Sequence, residues 1–204
     1  MKKLRILVAA VLMISTTAAL QACDIFVTPS KSKVLVGDTI TVKVKVHLIH
    51  RKCVLPIEET DVEATRGAVL GHTEWKKVGR MDYESVYKVV FYESGRNRIL
   101  VTRECSRVGL SEGSGYVTAT YNLKRALSLA KSYLKSIADG KRVRTYIFRL
   151  SDVLKWLKSQ KELPADVEAA IPKLEAVVNA RKDLRKAKAA AQNALNCKVF
   201  KEDK

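Results

Sequence analysis

The sequence predicts an α+β protein in two parts: an all-β sandwich over residues 23–121 and a basic helical domain over residues 122–204. Three observations carry that prediction. Up to Tyr121, apolar residues fall at alternate positions in short runs separated by turn residues, which is the period of half-buried strands. From Asn122 the period lengthens to between three and four, that of helices with one buried face. The charge balance changes at the same boundary. Residues 23–120 carry 15 basic against 12 acidic groups, whereas residues 121–204 carry 20 against 9.

Residues 1–22 read as a signal peptide. Lys2, Lys3 and Arg5 form a positive start, Ile6 to Ile14 a short apolar run, and Ser15 to Ala22 a region of mostly small residues. The apolar run is shorter than the roughly 20 residues that span a bilayer, and no later stretch is long enough, so the expectation is an exported protein of the periplasm or cell envelope. Leu20-Gln21-Ala22-Cys23 resembles a bacterial lipobox, which would make Cys23 the first mature residue and the carrier of a lipid anchor. Gln21 departs from that pattern. Cleavage after Ala19, with Thr17 and Ala19 as the small residues, is the alternative.

The strands follow in order. Ile25–Thr28 precedes Pro29, and Lys33–Val36 precedes a Gly37-Asp38 turn. The clearest run is Thr39 to Leu48. Ile40, Val42, Val44, Val46 and Leu48 alternate there with Thr41, Lys43, Lys45 and His47, predicting a long strand with an apolar face and a basic face. Beyond Pro56 come Asp61–Thr65, the weaker Ala68–Leu70 and Glu74–Val78, then Ser85–Glu93, Arg98–Cys105 and Tyr116–Tyr121. Gly113-Ser114-Gly115 reads as the turn before the last of these. About seven short strands at regular spacing in roughly 100 residues indicate a two-sheet sandwich.

Val36-Gly37-Asp38-Thr39-Ile40-Thr41-Val42, the later Tyr87, and Ser94-Gly95 leading to Ile99-Leu100-Val101-Thr102 together resemble bacterial immunoglobulin-like domains. The resemblance covers about half of the chain. It implies an architecture shared by modules of many functions and no particular activity.

In the second part, Leu123, Leu127, Ala130, Leu134 and Ile137 make one stripe opposite Lys124, Lys131 and Lys135, and Asp139-Gly140 ends it. A second helix has Ile147, Leu150, Leu154 and Leu157 inward, with Arg149, Lys155 and Lys158 outward. A third is expected from about Pro172 to Leu195, with Val177, Leu184, Ala191 and Leu195 along its buried stripe. Three helices with short loops predict an antiparallel three-helix bundle or helical hairpin. Arg181, Lys182, Arg185, Lys186 and Lys188 cluster on the last helix and are the candidate contacts for an anionic partner.

The four cysteines, Cys23, Cys53, Cys105 and Cys197, fall in a chain expected to be oxidised. The immunoglobulin-like resemblance implies that Cys53 and Cys105 meet at one pole of the sandwich, where a disulfide would join its two sheets. Cys23 starts at the same pole. His50 lies there too, so a metal ion held by His50, Cys53 and Cys105 is the alternative. The spacing is not diagnostic, with neither Cys-x-x-Cys nor His-x-x-x-His present. His47 and His50 are an odd number of residues apart and face opposite sides of a regular strand.

No nucleophile elbow, glycine-rich phosphate loop or His-Glu-x-x-His occurs, so the sequence supplies no catalytic residues and points away from an enzyme. The expected function is an exported, envelope-associated interaction module, anchored at the membrane surface by lipid, that binds an anionic envelope component or a protein partner. Export disfavours nucleic acid. The alternative is a metal-binding or redox accessory protein that uses the Cys/His pole. No cofactor is expected on the first reading, and a metal ion on the second.

Overall fold

A computed structural model describes residues 23–50, 54–106 and 109–201. The signal peptide assigned to residues 1–22 and the cysteine at position 53 lie outside the described residues.

Among the described residues nine strands form two sheets. These are β1 (Cys23–Pro29), β2 (Lys33–Leu35), β3 (Thr39–Leu48), β4 (Thr60–Ala64), β5 (Gly67–His72), β6 (Lys76–Lys77), β7 (Asp82–Phe91), β8 (Gly95–Cys105) and β9 (Gly109–Thr120). One sheet has the order β1-β3-β7-β5, with β6 also on β7, and the other β2-β9-β8-β4. All pairs are antiparallel except β2 with β9.

The alternation in β3 works as its sequence requires. Ile40, Val42, Val44 and Val46 are buried, and they meet Tyr87, Val89 and Phe91 of β7 and Ile99, Val101 and Val117 of the other sheet in one core. The outward lysines find acids on β7: Lys43 lies 3.6 Å from Glu84 and Lys45 3.1 Å from Asp82. These pairs are exposed and contribute little to stability. In β8 the inward series is Asn97, Ile99, Val101, Arg103 and Cys105. Arg103 occupies a core position because its guanidinium ties down the chain before β4, donating to the carbonyls of Leu55 and Pro56, each at 2.7 Å.

Gly113-Ser114-Gly115, expected to be a turn, lies inside β9. The two glycines face β1 instead. A Cβ on Gly113 would stand 2.5 Å from the Ile25 carbonyl oxygen, and one on Gly115 3.0 Å from Val27. Their lack of side chain lets β1 press against β9. The sequence pattern of a turn and that of a close strand crossing are the same here.

The helical part contains α1 (Leu123–Ala138), α2 (Val143–Lys158), the single turn α3 (Ala165–Glu168), α4 (Ile171–Asn179) and α5 (Leu184–Leu195). The Asn122 side chain caps α1 by accepting from the Arg125 N–H at 2.8 Å, and Gly140 at φ +78° leaves it. The long final helix expected from the sequence is two helices, so four helices longer than a single turn replace the three expected. The break is at Asp183, whose carboxylate accepts from the N–H groups of Arg185 at 3.0 Å and Lys186 at 3.1 Å and so starts α5 afresh. Leu184, expected in the stripe, is consequently exposed, while Val177, Ala187, Ala191 and Ala194 are buried. The four longer helices close a cycle in which α1 touches α2 and α5, and α4 touches the same two.

Several contacts fasten the β and helical parts together. Arg125 of α1 donates to the Val36 carbonyl at 2.9 Å and pairs with Asp38. Tyr121 packs on Trp156, with ring centroids 5.7 Å apart. Asp152 of α2 accepts from the Ser94 N–H and from the Tyr121 hydroxyl, both at 2.8 Å.

Candidate functional site

Two places gather chemistry, one at the pole of the sheets and one on the helices. At the pole, Cys23 opens β1 opposite Leu48, and Cys105 closes β8. His50 follows two residues after β3, and its Nε2 lies 2.6 Å from Cys105 Sγ. Its Nδ1 is buried with no hydrogen-bond partner among the described residues. Cys23 is fully buried, and its N–H donates to the Ser111 hydroxyl at 2.8 Å. The structure therefore brings two of the expected site residues, His50 and Cys105, into contact. Cys53, which both the disulfide and the metal reading require, lies outside the described residues. Among the described residues no group of three or more His, Cys, Asp and Glu side chains is placed to hold a metal ion, and no disulfide joins Cys23, Cys105 and Cys197 to one another. His47 does not belong to this pole. Its Nδ1 lies 3.1 Å from Asp82, whose carboxyl is held below the usual range by hydrogen bonds from Lys45 and His47.

On the helices, α2 and α4 leave a groove of about 390 Å³ between them. Arg144, Phe148, Ser151 and Lys155 line it from α2, at steps of four, three and four residues that place them on one face. Val178 of α4 and the following Arg181 and Lys182 form the other wall, with Ile147 at the floor. No carboxylate lines the groove, and no ion pair among the described residues engages its four cations. About one turn further along, the same two helices carry a matched pair, Lys158 to Glu175 at 2.7 Å. Phe148 is 63% exposed, whereas every other apolar residue of α2 is buried or half-buried.

The five cations expected to act together are thus divided. Arg181 and Lys182 face the groove. Arg185 and Lys186 sit on the first turn of α5, with Lys186 3.8 Å from Asp183. Lys188 reaches over Gly140, where its Nζ takes the place an added Cβ would need. Arg149, expected to point outward, lies 3.6 Å from the Tyr92 ring centre at the junction with the strands. A larger cavity, about 600 Å³, runs beside β2 and β3 between Lys31, Lys33 and Asp38. Its single carboxylate is already taken by Arg125, and no aromatic ring lines it.

Three residues escaped the sequence reading. Arg144 and Phe148 were signalled by their spacing with Lys155 opposite the buried stripe. Asp152 was signalled by being the one acid in an otherwise basic helix. Around Asp152 the groups are perturbed. Burial pushes the Tyr121 phenol well above its ordinary range, and the adjacent Asp152 charge adds to it. Burial and then Asp152 also raise the Glu93 carboxyl.

No protein-family model matches the chain, and no curated protein matches it. Solved structures similar to it include three of low identity. The complex of Dpr2 Ig1-Ig2 with DIP-Theta Ig1-Ig3 is 9% identical over 49% of this chain and 32% of that one, with a TM-score of 0.28. The ZirS C-terminal domain is 14% identical over 52% and 75%, with a TM-score of 0.27. Astrotactin-2, described as a vertebrate-specific, perforin-like membrane protein, is 10% identical over 89% and 38%, with a TM-score of 0.32. The chain thus spans about a third of the length of the chain it matches in the Dpr2–DIP-Theta complex.

Proposed function

We propose that this protein is an exported, envelope-associated interaction module without catalytic activity, in which an immunoglobulin-like β-sandwich supports a basic helical domain that binds an anionic partner. The strand order β1-β3-β7-β5 over β2-β9-β8-β4 supports the immunoglobulin-like assignment. The observation that carries the binding assignment is the α2/α4 groove. Four cations converge there, none with an ion-pair partner among the described residues, while the neighbouring Lys158 is paired. A solvated basic surface disperses its charge among acids, as β3 and β7 do here; the groove concentrates one sign.

Binding of the mature chain, produced without lipid on Cys23, to polyglutamate and to anionic vesicles, measured from low to high salt, tests this reading. Retention on both that weakens over a few-fold rise in ionic strength is expected, since exposed charges are screened over about 10 Å at 0.1 M. Equal retention on neutral and anionic supports would refute it. On this reading lipid at Cys23 supplies the anchor, and it carries a structural condition. The Cys23 side chain is fully buried at the first pairing position of β1, so an acylated sulfur requires that residue to leave the core.

The second reading, a metal or redox accessory protein, is favoured by the contact of His50 with Cys105 and by the His50 Nδ1, buried without a partner among the described residues. Metal analysis with thiol titration of protein isolated without reductant separates the two.

A further inference from the structure

We infer that the α2/α4 groove is a membrane-contact site for anionic lipid, with Phe148 inserted at the boundary between head groups and acyl chains and Arg144, Lys155, Arg181 and Lys182 receiving lipid phosphates. This rests on the reading of the helical part as an anion-binding domain and names its partner. The discriminating feature is the shape of the apolar element. A site for an acidic peptide presents a hole that receives a side chain, enclosed by apolar walls. Here Ile147 at the floor is buried, and the exposed apolar element is the Phe148 ring, 63% exposed and standing among cations. A projecting aromatic ringed by long basic side chains suits a soft partner that opens around the ring and offers phosphates at the depth of the surrounding charges. Lysine and arginine lay their aliphatic stems along such an apolar surface and keep their heads at the interface. The groove, at about 390 Å³, is near the lower end for small-molecule sites, enough for a head group rather than a whole two-chain lipid. The acyl chains accordingly stay in the bilayer.

The test is sedimentation of the mature chain, produced without lipid on Cys23, with vesicles of phosphatidylcholine and phosphatidylglycerol mixed three to one, and with phosphatidylcholine alone. Wild type, Phe148→Ala, the Arg181→Glu/Lys182→Glu pair and Phe26→Ala are compared. Phe26 is a second exposed aromatic, 55% exposed on β1, away from the groove. All the substituted side chains are exposed, so unchanged circular dichroism is expected. Phe148→Ala should weaken partitioning into the anionic vesicles about tenfold, the effect of withholding an aromatic side chain from an apolar environment. The charge-reversed pair should abolish it, and Phe26→Ala should leave it unchanged. Vesicle binding equal in Phe148→Ala and wild type overturns the inference. If polyglutamate binding survives in that case, the anion-binding reading stands without it; if neither support retains wild type, both fall. Polyglutamate retention that drops in Phe148→Ala while vesicle binding does not would assign the groove to an acidic peptide.

Discussion

Replacing Asp152 with alanine should loosen the junction between strands and helices more than any other single surface-accessible change. Its carboxylate accepts two hydrogen bonds at 2.8 Å, from the Ser94 N–H and the Tyr121 hydroxyl, both partly buried. Hydrogen bonds to a charged acceptor contribute about 1.5–3 kcal/mol each, and donors left without a partner add a desolvation cost. Two effects oppose this: water can reach part of the site, and the repulsion that raises Glu93 is relieved. A net loss of about 3 kcal/mol follows, which for a chain of this length lowers the melting temperature by roughly 6–12 °C. Thermal and urea melts followed by helical circular dichroism and by tryptophan fluorescence measure it, since Trp156 packs against Tyr121 at the junction itself. A cycle with Tyr121→Phe isolates the pair, with a coupling of about 1 kcal/mol or more expected. A loss below about 0.5 kcal/mol, or additive effects at Asp152 and Tyr121, would show that the junction is held by packing alone.

Gly113→Ala should cost about 2–4 kcal/mol in urea denaturation and Gly115→Ala less, because the added Cβ meets rigid β1 backbone at 2.5 Å in the first case and contacts of 3.0 Å or more in the second; equal small losses would mean β1 moves freely. Glu93→Gln should leave stability unchanged below pH 4.5 and raise it progressively above. The folded carboxyl is pushed above its ordinary 4.5, so the unfolded chain gives up its proton first and wild-type stability declines as pH rises towards the folded value. Urea midpoints across this range check it, and a pH-independent difference between the two proteins counts against it. A Cys53–Cys105 disulfide would enclose 51 residues and stabilise by roughly 4 kcal/mol in the chain-entropy picture. In that case His50→Ala leaves the thiol count of unreduced protein unchanged, whereas loss of bound metal in that variant identifies a metal site instead.

Much of the architecture was legible because two periods dominate the chain. Where alternation is uninterrupted, as in β3, face and burial were readable residue by residue. Failures came where one residue type serves two purposes. Gly113 and Gly115 suit a turn by their backbone freedom, yet serve a strand by leaving room for β1, and only the position of β1 decides between them. The apolar stripe through Val177, Leu184 and Ala191 keeps a seven-residue spacing that an unbroken helix satisfies. Asp183 interrupts it because a carboxylate that caps two N–H groups offsets the cost of ending one helix and starting another.

The candidate site was less legible for a geometric reason. Successive helical residues are turned by about 100°, so Phe148 and Arg149 face different surroundings although either could occupy an outer face. Arg149 goes to the Tyr92 ring because β7 runs on into the turn beside α2, and Phe148 is left in the open groove because α4 stops at Asn179. The same stop delivers Arg181 and Lys182 to the groove and sends Arg185, Lys186 and Lys188 elsewhere. Of the five cations between Arg181 and Lys188, two thus face two others, Arg144 and Lys155, across the groove. Counting charges along the chain locates the basic helical part, but the site depends on where one helix ends. An Asp183→Ala variant, which removes the cap at that break, should therefore alter groove binding as well as lower stability by about 1 kcal/mol. Binding to anionic vesicles left intact in a variant so destabilised would show that the arrangement of the four cations is not what the partner reads.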